Sequence, residues 1–253
     1  MFPYRDENQT QRRSYVTFGL IAANVAAWVL IQGAGTPMPL VESVCNLGLI
    51  PGELTGRLPP GTGFPVGEGL VCLTDPGRQV SHLLTSMFLH GSWMHLLGNM
   101  WFLWIFGDNV EDSMSRPRFA AFYVLCGLAA AFAQVLTSPQ SGVPMVGASG
   151  AISGVMGAYL VLYPRVRVFL LVPIGFLLTS IALPAWMMLV YWMGLQLLSG
   201  LADAARDSAG GVAFWAHVGG FVTGVILVKL FARRDRVTAH ETRHWEPKRL
   251  RWG

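Results

Sequence analysis

The sequence has 253 residues, of which 53% are hydrophobic and only 13% are charged, and its mean hydropathy is +0.46. A soluble domain carries about 25% charged residues, so this composition excludes an ordinary soluble protein and predicts an integral membrane protein. The formal net charge of +4 does not indicate nucleic-acid binding, because the basic residues gather at the ends of apolar segments, as topology signals do.

Six apolar segments follow one another along the chain, and each is near the ~20 residues that a helix needs to cross the hydrocarbon of a bilayer. We therefore predict an all-α membrane protein, a six-transmembrane-helix bundle in one domain of residues 15–231. The fourth segment is short and glycine-rich, so we expect other helices rather than lipid to surround it. The segments cover residues 15–34, 83–106, 119–136, 149–163, 182–201 and 212–231.

The apolar stretch 168–181 lies between the fourth and fifth segments and is interrupted by Pro173 and Gly175. Irregular backbone exposed to lipid would leave N–H and C=O groups without partners, so we expect the protein to cover this stretch. We interpret it as an interfacial or re-entrant piece before the fifth helix.

The Lys and Arg residues predict the orientation of the bundle. A cytoplasmic N-terminus places fifteen of the eighteen basic residues on the inner side, in accord with the positive-inside rule, and leaves Arg57, Arg78 and Arg206 outside. We expect a multi-pass protein of the bacterial inner (plasma) membrane, with cytoplasmic tails at residues 1–14 and 232–253. The inner set is Arg5, Arg12, Arg13, Arg116, Arg118, Arg165, Arg167, Lys229, Arg233, Arg234, Arg236, Arg243, Lys248, Arg249 and Arg251.

A long segment from about residue 35 to residue 81 connects the first two apolar segments on the outer side. Two of the three cysteines, Cys45 and Cys72, lie in it, whereas Cys126 lies inside the third predicted helix. Disulfides persist outside the cytoplasm, but the sequence does not give the separation of two residues in space. A Cys45–Cys72 bridge and two unpaired thiols are therefore both open.

Several polar residues of the apolar segments fall at a similar depth, in the outer half of the bilayer. Ser149 begins the fourth segment, and His217 lies in the first two turns of the sixth. His95 and Asn99 share a face in the upper half of the second segment, while His90 points elsewhere. Polar groups at membrane depth are costly and usually face a protein interior or a water-filled cavity. The orientation rests on charges alone, so the shared depth independently indicates one site.

These residue types supply the parts of a serine hydrolase. His217 can take the proton of Ser149 and later give it to a leaving amine. Asn99, His95 and the backbone N–H of Ser149 can donate hydrogen bonds to a developing oxyanion. No Asp or Glu falls at this depth, so we expect a dyad, with no metal and no cofactor.

Small residues at helical spacing predict close contact between the fourth and sixth helices. Gly220 and Gly224 share a face with His217, and such residues let helix backbones approach each other. Each site residue also has a purely structural alternative. Ser149 can be a packing residue or a helix cap, His217 a packed histidine, and Asn99 a contact between helices. The hypothesis therefore depends on the joint depth and the partner types.

Taken in order, these motifs resemble those of the rhomboid intramembrane serine proteases, from the first segment to the sixth. Residues 147–150 resemble the family's GxSG motif, residues 95–99 its HxxxN and residues 216–224 its AHxxGxxxG. GxSG alone is a weak signal, because soluble hydrolases use a similar elbow. The resemblance implies a six-helix bundle, a Ser149–His217 dyad, and oxyanion donors from His95, Asn99 and the Ser149 backbone. It also implies substrates that are transmembrane segments of other proteins.

Two positions depart from the family pattern. Ser81 and His82 stand where the family often has Trp-Arg, and Ser153 stands where some members have a tyrosine that stacks on the catalytic histidine. These departures bear on the architecture of the outer loop and on the support of the histidine, and they leave the dyad intact.

The sequence thus favours an intramembrane serine endopeptidase that cleaves transmembrane segments near the outer face. Its expected partners are membrane-protein substrates and the lipid bilayer, with no nucleic acid; the oligomeric state stays open. The alternative is a non-catalytic membrane protein that recognises or dislocates transmembrane helices. A haem or metal protein is disfavoured, because His90 and His95 do not aim together and HExxH is absent. A transporter would normally show inverted repeats.

Overall fold

The computed structural model describes residues 2–67, 70–175, 177–206 and 213–238. Nine α-helices and five β-strands form within these ranges, and residues 234–238 are helical as well. In chain order they are β1 (Phe2–Asp6), α1 (Tyr15–Leu30), α2 (Pro37–Leu47), α3 (Pro51–Leu54), β2 (Gly63–Gly67), β3 (Leu70–Leu73), α4 (His82–Thr85), α5 (Trp93–Ser113), α6 (Arg116–Thr137), α7 (Ser149–Leu162), β4 (Arg167–Ile174), β5 (Leu177–Pro184), α8 (Ala185–Arg206) and α9 (Phe214–Phe231).

Each of the six predicted segments overlaps one long helix of the structure, namely α1, α5, α6, α7, α8 or α9. Three helices are long and apolar enough to cross a membrane by length and composition: α6, α8 as far as Ala204, and α9. Helices α1 and α7 are apolar but shorter. The fold is therefore that of a mostly helical membrane protein.

The second segment begins and ends differently from the prediction. Residues 82–88 form the short helix α4 and a 3-10 turn, and α5 begins only at Trp93. The Ser92 hydroxyl accepts a hydrogen bond there from the backbone N–H of His95. At its other end α5 continues beyond residue 106. The carboxylate of Glu111 there is satisfied, because it accepts hydrogen bonds from the backbone N–H groups of Val16 and Thr17.

The prediction of an all-α protein is wrong in two places. The stretch 168–181 belongs to an antiparallel hairpin of β4 and β5. Strand β1, from the predicted N-terminal tail, pairs with the edge of β4 that faces away from β5. Gly175, at a φ of +59°, lies in the hairpin turn. The pairing satisfies backbone groups that an irregular segment would leave free. A second hairpin, β2–β3, lies in the long segment between α1 and α4.

A disulfide joins Cys45 of α2 to Cys72 of β3, with their Cα atoms 5.3 Å apart. Of the two alternatives that the sequence leaves open, the structure therefore contains the bridge. The bond ties hairpin β2–β3 to helix α2, and the free thiol of Cys126 is buried in α6.

Helix α7 lies at the centre of the molecule, and all of its residues from Gly150 to Tyr159 are buried. It packs against α5, α6 and α9. The prediction that other helices surround this short segment is thus confirmed.

Basic residues gather at the end of the helices opposite to Ser149. There the Arg233 backbone N–H donates to the carbonyl of Ser113 at the end of α5, and Arg12 pairs with Asp112 at 3.1 Å. The predicted C-terminal tail is described only as far as residue 238, so Arg243, Lys248, Arg249 and Arg251 lie outside the described residues.

Candidate active site

The backbones of α7 and α9 touch, and this contact sets the distance between Ser149 and His217. A Cβ atom added to Gly220 would collide with the carbonyl oxygen of Gly150, and one added to Gly224 would collide with that of Gly154. Glycine is therefore required at both positions for the helices to lie this close.

Ser149 and His217 form a hydrogen bond across this contact. Ser149 is the first residue of α7, and His217 lies in the first turn of α9. The Ser149 Oγ atom is 2.8 Å from His217 Nε2. Both side chains are partly exposed to the same cavity. The fold thus brings together the two residues that the sequence singled out as nucleophile and base.

The other ring nitrogen of His217 meets a residue that the sequence analysis missed. Gln196 of α8 places its Oε1 atom 2.7 Å from His217 Nδ1. An amide oxygen only accepts hydrogen bonds, so this contact favours the tautomer that has the proton on Nδ1 and the lone pair of Nε2 toward the Ser149 hydroxyl. The sequence did contain a signal for Gln196, which is an isolated amide within an apolar segment. A polar group at membrane depth is costly and therefore indicates a polar partner or a site.

Two further residues bear on the support of the histidine. The ring of Trp192, one turn before Gln196 on α8, lies 5.9 Å from the His217 ring at an angle of 39°. Ser153, at the position where some family members have a stacking tyrosine, instead donates a hydrogen bond of 2.6 Å to the carbonyl of Ser149. In this chain the aromatic neighbour of His217 therefore comes from α8 rather than α7.

The predicted oxyanion donors lie beside the nucleophile. His95 Nδ1 accepts a hydrogen bond from the Gly91 N–H at 3.4 Å, which leaves Nε2 as the N–H donor of that ring. Among the described residues, the Nδ2 group of buried Asn99 has no hydrogen-bond partner. A Cβ at Gly147 would stand 2.8 Å from His95 Nε2 and 3.5 Å from Asn99 Nδ2. Both donors therefore face the backbone just before Ser149.

Gly147 also has a backbone conformation that other residues rarely adopt, with a φ of +125°. The backbone turns at Gly147, and α7 begins two residues later at Ser149. The backbone N–H of Ser149 lies in that first turn, where N–H groups have no partner within the helix. This N–H is thus available to a ligand, together with the two side-chain donors.

His90 is buried next to His95. It is fully buried, and its backbone N–H and carbonyl both bind the side-chain amide of Gln32, each at 2.8 Å. The His90 ring packs edge-on against His95, with 5.1 Å between the ring centres. The prediction that His90 points elsewhere is therefore wrong, because His90 precedes α5 and its ring contacts that of His95.

The site opens into a cavity of about 860 Å³, which lies in the usual range for ligand sites of roughly 300–1,000 Å³. Its polar groups gather around Ser149, while its other walls are apolar. Hairpin β2–β3 contributes part of the cavity wall through Phe64 and Pro65. Within the ranges that the structure describes, no group of three or more His, Cys, Asp or Glu side chains is placed to hold a metal ion.

Comparison with known proteins identifies related chains. A model of the Rhomboid domain matches residues 77–234. RHOMBOID-like protein 5 of Arabidopsis thaliana is 38% identical over 78 residues, covering 31% of this chain and 25% of that protein. The presenilin-associated rhomboid-like protein, mitochondrial, of Homo sapiens is 31% identical over 162 residues, covering 60% of this chain and 38% of that protein. Rhomboid-like protein 11, chloroplastic, of Arabidopsis thaliana is 27% identical over 166 residues, covering 59% and 52%.

The matched part spans about a quarter to a half of the length of these relatives. Two of them are named as mitochondrial or chloroplastic, so they lend no support to the predicted bacterial inner membrane. The family match covers more than half of the chain and runs from just before α4 to just after α9, so it includes Ser149, His217, His95 and Asn99. This chain belongs to the rhomboid family.

Proposed function

We propose that this protein is an intramembrane serine endopeptidase that cleaves transmembrane segments of other membrane proteins. The observation that carries the proposal is the 2.8 Å hydrogen bond between Ser149 Oγ and His217 Nε2, made at the edge of a cavity with free hydrogen-bond donors. Serine is a weak nucleophile until a base accepts its proton, and this geometry supplies the base.

The reaction follows from the positions of these groups. Ser149 Oγ attacks the carbonyl carbon of the substrate while His217 Nε2 takes its proton. The negative charge on the carbonyl oxygen receives hydrogen bonds from Asn99 Nδ2, His95 Nε2 and the Ser149 N–H. The C–N bond then breaks, and His217 returns the proton to the leaving amine. Water, deprotonated by His217, hydrolyses the resulting ester and frees Ser149.

The substrate must present an accessible carbonyl group. A transmembrane helix hides its carbonyls in internal hydrogen bonds, so local unwinding must precede the attack. We therefore expect substrates with Gly, Pro or other helix-weakening residues near the cleaved bond. Apolar cavity walls formed by Phe102, Met145 and Trp192 suit the side chains of such a segment.

In the proposed topology all six long helices cross the membrane, as one protease domain of residues 15–231. Ser149 and His217 lie toward the outer face, because α7 and α9 both begin there while the basic residues collect at the opposite ends. Residues 1–14 and 232–253 then lie on the inner side. A bacterial inner membrane stays a prediction.

Reaction with a fluorophosphonate tests the proposal against a non-catalytic protein of the same family. Such probes modify only an activated serine, so wild type should be labelled and Ser149→Ala should not. A wild-type protein that stays unlabelled, and also fails to cleave a model transmembrane substrate, would favour recognition of helices without proteolysis.

A further inference from the structure

We propose that Gln196 is a positioning residue for the base, holding His217 in the one tautomer and orientation that can deprotonate Ser149. The proposal rests on the proposed function and adds a third, neutral member to the expected dyad. Gln196 reaches the histidine from α8, a helix that carries none of the residues assigned to the site from the sequence.

The bond geometry carries the first step. His217 stands between two partners, with Gln196 Oε1 2.7 Å from Nδ1 and Ser149 Oγ 2.8 Å from Nε2. A neutral imidazole has one N–H and one lone pair, so fixing the proton at Nδ1 leaves the lone pair at Nε2. Nε2 is the nitrogen that faces the nucleophile. The contact with Gln196 therefore selects the tautomer that acts as a base.

The opposite tautomer shows what the amide oxygen prevents. With the proton on Nε2, the ring would offer an N–H to Ser149 and a lone pair to Gln196. The Nδ1 lone pair and the Gln196 Oε1 atom, both acceptors, would then face each other. The Gln196 amide would then have to rotate and present its NH₂ group. Such a ring cannot take the serine proton, so every molecule in that state is inactive.

Support of His217 from α8 also fits the presence of Ser153 where some family members have a stacking tyrosine. The Ser153 hydroxyl bonds to the backbone of α7, whereas Trp192 lies along one side of the His217 ring and Gln196 binds its edge. Trp192 and Gln196 are four residues apart and thus share a face of α8. One helix face therefore supplies both the aromatic neighbour of the His217 ring and the acceptor at its edge.

The first experiment compares turnover by Gln196→Leu and Gln196→Glu with wild type on a model transmembrane substrate. Loss of the acceptor in Gln196→Leu should lower kcat by about 10-fold to 100-fold and leave KM unchanged, because the lost bond acts on the base. Gln196→Glu keeps an acceptor and should retain most of the turnover. The matched control is Leu198→Ala on the same helix, where a 67% exposed side chain is shortened without effect on kcat.

The pH profile separates positioning from a structural role. In Gln196→Glu a carboxylate beside Nδ1 favours the protonated ring, so the acid limb of the kcat/KM profile should move to higher pH. In Gln196→Leu that limb should move to lower pH. Equal losses in both variants, with lowered thermal stability and an unmoved limb, would assign Gln196 to packing and overturn the proposal. Wild-type turnover in Gln196→Leu would overturn it as well.

A spectroscopic measurement decides the point even if the protein does not cleave the substrate. The ¹⁵N chemical shifts of histidine-labelled protein report which ring nitrogen carries the proton, and His217→Ala identifies the resonances. At a pH where the ring is neutral, wild type should show a protonated Nδ1 and a bare Nε2, and Gln196→Leu should show a mixture. A wild-type ring protonated at Nε2 contradicts the proposal, whereas absent Ser149-dependent cleavage alone contradicts only the proposed function.

Discussion

Gly224 of α9 lies directly against the carbonyl oxygen of Gly154 in α7, two turns below the hydrogen bond that joins the two helices at Ser149. A side chain at Gly224 would force the two backbones apart, whereas one at Gly154 would collide first with Cys126 of α6. The distance from nucleophile to base is thus set by residues that take no part in the chemistry.

Replacing Gly224 should therefore separate the dyad. Gly224→Val should abolish turnover and lower stability by about 1–3 kcal/mol, the usual cost of overpacking. The control is Gly19→Ala in α1, because a Cβ at Gly19 meets no atom within 4 Å. Thermal unfolding and substrate cleavage, measured side by side, check both. A Gly224→Val protein with full activity would show that the close contact does not set the site.

His217→Ala should lose as much activity as Ser149→Ala, and the double variant should be no slower than either. Groups that act as one unit have non-additive effects, because removing either disables the same step. Single-turnover rates of the three variants give the measurement. A double variant clearly slower than both single variants would argue against a coupled pair.

Asn99→Ala should lower turnover less than either change in the dyad. Loss of one oxyanion donor costs on the order of 10²–10³ in kcat in serine proteases. His95 and the Ser149 N–H remain, so residual activity should be measurable. If turnover is unchanged, the unpartnered amide of Asn99 serves helix packing and the oxyanion assignment is wrong.

The proposed orientation predicts which cysteines a membrane-impermeant thiol reagent reaches in intact cells. After mild reduction Cys45 and Cys72 should be labelled, because the outer loop carries them. Cys126 should stay unlabelled, because it is buried in α6. The variant pair Cys45→Ser and Cys72→Ser supplies the control. Labelling of Cys45 and Cys72 only after the inner face is exposed would invert the topology and place the site at the inner side.

The sequence predicted the features that depend on local patterns. Apolar length located the six long helices, and charge distribution together with the depth of polar residues singled out Ser149, His217, His95 and Asn99. Sequence alone carries these signals, because burying a polar or charged group in hydrocarbon is unfavourable at any position in the chain.

The features that the sequence did not predict depend on partners far apart in the chain. Strands β4 and β5 pair locally, but the strand that covers the other edge of β4 is β1, which lies more than 150 residues earlier. The Cys45–Cys72 bridge depends on a distance that only the fold determines. Gln196 acquires its partner only because α8 packs beside the start of α9.

The most direct test of a serine-dependent intramembrane protease is cleavage of a model transmembrane substrate by purified protein in detergent, with mass spectrometry of the products. Wild type should release a fragment that begins within the outer half of the substrate helix. Ser149→Ala, which replaces the hydroxyl by a small residue that favours helix, should be folded and release none. Undiminished cleavage by Ser149→Ala would contradict the account.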